Sequence, residues 1–225
     1  MTTNRSVVVF DLGGVLLDWN PRHLYRKLFD GDDVAMERFL ATVCTSDWNE
    51  EQDAGRTFAD ACALLKSEHP ARAELIDAWV ERQSEMFSGA IAGTVEILAE
   101  LRAVGVPLYA LTNFSAETFP AARERFEFLG WFRGTLVSGD VKMIKPDPRI
   151  FEHFLEIFDI DPPHAVYIDD RQNNVDAATA LSMHGVLFTD PPRLRAELVR
   201  LGLLSPIREG ECLGFPARTP ETRKV

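Results

Sequence analysis

Four polar groups stand at or just beyond the ends of apolar runs, and each is of a type that can do chemistry. Val7 to Phe10 stops at Asp11, Val106 to Leu111 at Thr112-Asn113, and Ala165 to Ile168 at Asp169-Asp170; Lys145 follows the short run Gly134 to Ser138. Singly, each has an ordinary reading: an Asp or Thr that ends a turn, a solvated Lys. Jointly they point to a site. If the runs are strands of one parallel sheet, their carboxyl ends share an edge, which is where open α/β sheets bind ligands. Three carboxylates round one pocket repel, since two unit charges about 4 Å apart interact by roughly 4 kcal/mol at an effective dielectric near 20. Lys145 offsets one of them. A divalent cation offsets the rest, and an all-oxygen donor set favours Mg²⁺ over zinc.

The elements that must position these groups are read from the periodicity. Val7 to Phe10 is four consecutive apolar residues, the pattern of a strand buried on both faces, and Leu12-Gly13-Gly14 is its tight turn. Beyond Asp18 the period becomes helical: Leu24, Tyr25, Leu28 and Phe29 share one face, then Met36, Phe39, Leu40 and Val43. Phe58, Ala61, Cys62 and Leu65 repeat the spacing, and Leu75 to Phe87 gives a longer helix after Pro70. A stretch this long is not a loop. It is expected to be about four helices, inserted as a cap over Asp11.

From Thr94 onward helix and strand alternate. Helices are expected over Thr94 to Val104, closed by Gly105, and over Ala116 to Phe128, capped by Ser115. Another follows Pro146-Asp147-Pro148 with Ile150, Phe151, Phe154, Leu155 and Phe158 on its apolar face, and the last two cover Val175 to Ser182 and a stretch opened by Pro191-Pro192. Strands are expected at Val106 to Leu111, Gly134 to Ser138, Ala165 to Ile168 and Gly185 to Phe188. The order predicts an α/β fold with a doubly wound, Rossmann-like parallel sheet and an all-helical cap. The expected boundaries are 1–17 and 89–204 for the core, 18–88 for the cap and 205–225 for a tail, loosely ordered from Ile207 to Val225.

Composition narrows the partners. The chain has 225 residues, 46% hydrophobic, and a formal net charge of -11, with a pI near 4.9. That is a globular composition, and its charge argues against nucleic acid or an anionic membrane as partner. Cys44, Cys62 and Cys212 form no CxxC pair, and the five histidines show no zinc spacing. With a short polar start and no 18-residue apolar span, a cytoplasmic protein with reduced thiols is expected. The oligomeric state is not encoded in any of these features.

The segments FDLGGVLLD at Asp11, LTN at Thr112, KMIKPDPRIF at Lys145 and YIDDRQNNVDAA at Asp169-Asp170 resemble the four motifs of the haloacid dehalogenase-like hydrolase superfamily. The resemblance covers nearly the whole chain, with a helical cap in the expected place. The DxGG form of the first motif and the segment DWNPRHLYRKLF look like a phosphatase branch that includes glucose-1-phosphate phosphatases. It implies a Mg²⁺-dependent phosphatase acting on a small phosphorylated substrate. Asp11 would be the nucleophile and form an aspartyl-phosphate. Thr112, with backbone amides near Asn113 and the Gly13-Gly14 turn, would hold the phosphoryl group, and Lys145 would neutralise its charge. The metal ligands would be Asp11, the Gly13 carbonyl and one of Asp169 and Asp170. Asp170 is preferred, with Asp169 behind it or paired with Lys145.

One position departs from the phosphatase pattern. A second Asp two residues after the nucleophile serves there as general acid and base, and here Gly13 stands in its place. General acid–base catalysis contributes about 10²- to 10⁴-fold, so something must compensate. A cap residue (His23, Asp47 or Glu51), a water, or a leaving group that needs little protonation would each serve, and an anomeric sugar phosphate suits the last. Two rival readings exist. A metal-independent 2-haloacid dehalogenase shares the Asp nucleophile, but paired acids make little sense without a cation. A non-catalytic phosphate-binding protein explains the missing Asp but not the retention of all the other groups. Selectivity is expected from the cap, with Trp19, Asn20, Arg22, Trp48 and Arg56 as candidates, and hinges near Asp18-Trp19 and Gly89-Gly93.

Overall fold

The structure, a computed structural model, describes residues 6–206. The tail expected over 207–225, with Cys212, lies outside them. Five parallel strands form the core sheet: β1 (Val7–Phe10), β4 (Leu108–Thr112), β5 (Gly134–Val137), β6 (Ala165–Asp169) and β7 (His184–Leu187), in the order β5-β4-β1-β6-β7. β1 is central. Phe10 pairs with Ala110 of β4 on one side and with Ile168 of β6 on the other, so the residues that follow each strand emerge side by side.

Alternation along β1 explains why its apolar run is unbroken. Val8 and Phe10 belong to one buried cluster, with Ile97 and Leu98 from α6 (Ala92–Ala103) and Leu194 from α11 (Pro191–Arg200). Val9 belongs to the other, with Ile150, Phe151 and Phe154 from α9 (Pro148–Ile157) and Ala178 from α10 (Gln172–Ala180). Both faces of the sheet are thus covered by helices, the arrangement that all-parallel sheets require. Removing one of these side chains is costly: Phe154→Ala should destabilise by about 3–5 kcal/mol.

The excursion between β1 and β4 begins and ends on a two-stranded antiparallel ribbon, β2 (Leu17–Trp19) and β3 (Phe87–Ala90), with Leu17 opposite Ala90 and Trp19 opposite Phe87. Between them lie five α-helices: α1 (Arg22–Leu28), α2 (Asp33–Thr42), α3 (Ser46–Asp53), α4 (Phe58–Glu68) and α5 (Ala73–Glu81). They share their own apolar cluster, in which Tyr25 packs on Phe39 at 5.1 Å and Trp48 stands edge-on to Trp79 at 5.3 Å between ring centroids. Trp19 packs against both this cluster and the sheet cluster.

Several details differ from expectation. The longer helix expected from Leu75 to Phe87 is α5 followed by a 3-10 turn over Gln83–Met86, and Phe87 opens strand β3. Helix α3, WNEEQD with its flanks, buries only Trp48 and Gln52 and so carries no apolar period; its N-terminus is fixed by Thr45, whose hydroxyl accepts from Trp48 N at 3.0 Å. The helix expected over 116–128 is the shorter α7 (Phe119–Arg125), with Pro120 in its first turn, followed by a 3-10 segment over Glu127–Trp131. A single-turn helix, α8 (Ser138–Val141), follows β5. Among the described residues no helix is long and apolar enough to cross a membrane.

Candidate active site

Asp11, Thr112 and Asp169 arrive at one edge because β1, β4 and β6 are in register. Asp11 N donates to Ile168 O at 2.8 Å, carrying the pairing one residue beyond β1. The Asp11 Oδ1 atom accepts from Leu12 N at 2.7 Å and from Lys145 Nζ at 2.9 Å; Oδ2 takes neither bond. Thr112 is buried at the end of β4, opposite Val137, and is not among the residues that line the cavity described below.

Lys145 is the hub. Its side chain is 1% exposed, and its three Nζ protons meet three acceptors: Asp11 at 2.9 Å, Asp169 Oδ2 at 2.8 Å and Leu111 O at 3.1 Å. Asn113 holds its backbone on both sides, accepting from Lys145 N at 2.8 Å and donating to Lys145 O at 3.0 Å. That explains Asn113: its amide clamps the lysine rather than facing the cavity alone. Burial opposes the lysine's charge, but Asp11 and Asp169 outweigh it and lift the ammonium above its ordinary pKa.

Asp169 is fully committed. Its oxygens accept from Lys145, from Tyr167 OH at 2.6 Å, from Arg171 N at 2.8 Å and from Asn174 Nδ2 at 3.0 and 3.1 Å. Burial pushes this carboxyl up, yet Lys145 and these donors hold it below the usual carboxylate range. Asp11 goes the other way. Burial, with Asp169 adding to it, outweighs Lys145 and pushes the carboxyl up to about 7. Lys145 thus bonds to both buried acids but holds only Asp169 below the usual range, while Asp11 takes up a proton more readily than a free carboxyl.

Asp170 adds a third carboxylate. It is exposed to the cavity, and it lies against Gly14, where a Cβ would stand 2.3 Å from Asp170 Oδ2. Gly14 also has a φ of +71°, so both the turn and the approach of Asp170 need glycine. Asp11, Asp169 and Asp170 each offer an oxygen within 4.8 Å of the others. When all three are ionised, three acids against one lysine leave two negative charges, and the donors are all oxygen. The set fits a hard divalent cation.

These groups open on a cavity of about 690 Å³ between sheet edge and cap. Of the cap residues expected to select substrate, Trp19, Asn20 and Arg22 line it, Arg22 in a paired contact with Glu37 at 2.5 and 2.7 Å. Trp48 is packed inside the cap, and Arg56 is held by Glu51 and Gln52, so neither reaches the cavity. Asp47 lines it; His23, which meets Asp18 at 3.3 Å, and Glu51 do not. Asn49, Glu50 and Asp53 of α3, and Arg171 and Asn174 after β6, line it without having been singled out in the sequence. Arg171 and Asn174 stand within YIDDRQNNVDAA, so that segment's remaining polar residues were the available signal. Burial, then Glu50, pushes the Asp53 carboxyl up to about 7.

The family model for haloacid dehalogenase-like hydrolases matches residues 6–181. The chain belongs to the haloacid dehalogenase-like hydrolases. It is 30% identical over 201 residues to the sesquiterpene phosphatase astK of Aspergillus oryzae, a match that takes in 89% of this chain and 98% of that one. It is 26% identical over 194 residues to the phosphoglycolate phosphatase of Photobacterium profundum, covering 81% and 82%. Against three other curated relatives it spans 20% to 45% of their length. Among solved structures, a haloacid dehalogenase-family enzyme of Bacteroides thetaiotaomicron in complex with magnesium superposes with a TM-score of 0.66 at 22% identity, covering 83% of this chain and 94% of that one. The haloacid dehalogenase-like fold, a parallel α/β sheet with a helical cap, is thus common to both.

Proposed function

We propose that this hydrolase is a Mg²⁺-dependent phosphatase, cutting a small phosphorylated metabolite, such as a sugar phosphate, through an aspartyl-phosphate on Asp11. The observation that carries the reading is Lys145 shared between Asp11 and Asp169 at the floor of an open cavity, with two acidic charges left over. Phosphatases among the relatives support it. Asp11, the Gly13 carbonyl and Asp170 would hold the cation, while Asp169 stays with Lys145. Bound Mg²⁺ would supply charge neutralisation for the phosphoryl group.

The chain's own residues do the rest. Asp11 attacks phosphorus, its orientation fixed by Leu12 N and Lys145. The ammonium of Lys145, buried and fully bonded, stabilises charge on the transferring group without having to reorganise. The backbone at Asn113, which lines the cavity, would bind the phosphoryl oxygens; Thr112, buried at the end of β4 and outside the lining, does not take that role. The cap excludes water and selects the organic part of the substrate, and the β2–β3 ribbon is the boundary across which it would open.

Release of p-nitrophenol from p-nitrophenyl phosphate tests this, with Mg²⁺, with a chelator, and with Asp11→Asn. Turnover that needs both metal and Asp11 is expected. Chloride release from 2-chloropropionate without metal would replace the reading with dehalogenation, and phosphate binding with no turnover would replace it with a non-catalytic role.

A further inference from the structure

Gly13 leaves open space where the phosphatase pattern has its proton-transferring aspartate: a Cβ built there meets nothing within 4 Å. That space faces the cap. The main cavity adjoins a smaller one of about 70 Å³, and five residues line both: Gly13, Trp19, Asn49, Asp53 and Asn113. Only one of the five is titratable. We propose that Asp53 is the general acid and base of the reaction, supplied by the cap in place of the aspartate that the core lacks. The proposal rests on the phosphatase reading above.

Asp53 is seated by the core as well as by its own helix. Its carboxylate accepts from Asn49 Nδ2 at 3.1 Å, and the backbone of Ser115, in the loop after β4, lies beside it. Its carbonyl accepts from Ser138 Oγ at 2.6 Å, and that hydroxyl accepts from Phe114 N at 2.9 Å. Two residues on, Gly55 has a φ of +97°, and a Cβ there would lie 2.8 Å from Lys142 Cγ and 3.2 Å from Gly139 O. Only glycine lets this corner of the cap come so close to the core. The acid is therefore in place when the cap is seated.

Its surroundings suit proton transfer. Glu50 lies one turn earlier on α3, Arg171 approaches from the loop after β6, and Asp11 stands at the end of β1. Burial and Glu50 raise the carboxyl to about 7 against the pull of Arg171, so near neutrality it can both give and take a proton. The other cap groups are engaged or solvated: Glu50 pairs with Arg171 at 3.2 Å, Glu51 with Arg56, His23 with Asp18, and Asp47 is exposed.

In the first step the Asp11 oxygen bonds to phosphorus, the bond from phosphorus to the ester oxygen breaks, and protonated Asp53 gives its proton to that oxygen. In the second, ionised Asp53 takes a proton from water as the water oxygen bonds to phosphorus and the bond from Asp11 to phosphorus breaks. Phosphate leaves, and both carboxyls return to their starting states.

The test is kcat/KM of wild type, Asp53→Asn and Asp53→Glu, with Mg²⁺, over esters from 4-nitrophenyl through phenyl to alkyl phosphates. Asp53→Asn should lose about 10²- to 10⁴-fold on the poorest leaving groups but under about tenfold on 4-nitrophenyl phosphate. Asp53→Glu should recover part of the loss at the poor-leaving-group end. The slope across the series does not depend on how much of a variant is folded. Equal losses on every ester, or none, would overturn the assignment of Asp53 and leave the phosphatase reading standing. A wild type that turns over no ester would remove that reading and the proposal with it.

Discussion

The sheet edge and helix α3 face each other across one cavity, and they hold their charges in opposite ways. At the edge, every proton of Lys145 and both oxygens of Asp169 are committed, at 1% and 0% exposure. On α3, Glu50 reaches Arg171 through a half-exposed pair at 3.2 Å, and Asp53 has one side-chain donor. The edge is fixed because Asp169 ends a strand paired on both sides, Asp11 directly follows another, and Lys145 is bonded to both. The cap face is less tightly bonded: its groups sit on a short helix that buries only two side chains, although Asp53 at its end is held to the core through Ser138. On the proposed reaction, fixed geometry suits the transfer of phosphorus, the step common to all phosphate esters. The less tightly bonded face suits the leaving group, which differs between substrates.

That contrast breaks most plainly at Asp11. Asp11→Asn should cost at least about 10⁴-fold in kcat on any ester, as expected when a nucleophile is lost, and steady-state assays on two unlike esters would expose an exception. Next is Lys145→Met, which leaves two buried acids facing each other. It should abolish turnover and destabilise by about 3–5 kcal/mol in urea unfolding. Gly14→Ala forces a side chain onto Asp170 at a positive φ. A loss of about 1–2 kcal/mol is expected, with weaker Mg²⁺ binding by calorimetry.

Effects on the cap side should be smaller. The Asp53 carboxyl stands near 7 in the folded chain against its ordinary 3.8, so the folded state holds an extra proton between those values. Stability should then fall as pH rises through that window, and Asp53→Asn should remove the Asp53 share of the fall, leaving that of Asp11. Unfolding midpoints at pH 5 and pH 8 would show the variant gaining on wild type at the higher pH; an equal difference at both would mean the carboxyl is not raised. Smallest is Glu50→Gln, which loses a solvent-screened pair and should change stability by under about 1 kcal/mol.

The same contrast governs what the sequence made legible. Strand ends were readable because a strand buried on both faces is a run of apolar residues, and a polar residue that stops it stands out. Asp11, Thr112, Asp169 and the parallel, doubly wound class of the sheet followed from that; the strand order did not. The role of Asn113 did not, because its amide is spent on the backbone of Lys145, a contact no local pattern records. Helix α3 was missed for the reciprocal reason: SDWNEEQD presents its polar side to a cavity and has no period to detect. Its one local sign was Thr45, a capping residue. The cap groups that face the substrate therefore lie where hydrophobic patterning carries least information. Sequence reasoning turned to His23, Asp47 and Glu51; Asp47 does line the cavity, whereas His23 and Glu51 are held elsewhere.

The ribbon of β2 and β3 has a consequence for modularity. Leu17 lies opposite Ala90, so the chain departs from the sheet and rejoins it at a single doorway. Whatever is threaded between those two residues leaves the connectivity of the five parallel strands untouched. A passage of different length or make-up could be joined at that doorway without disturbing the residues at the sheet edge. A new substrate could be taken up in this way without a change in the chemistry.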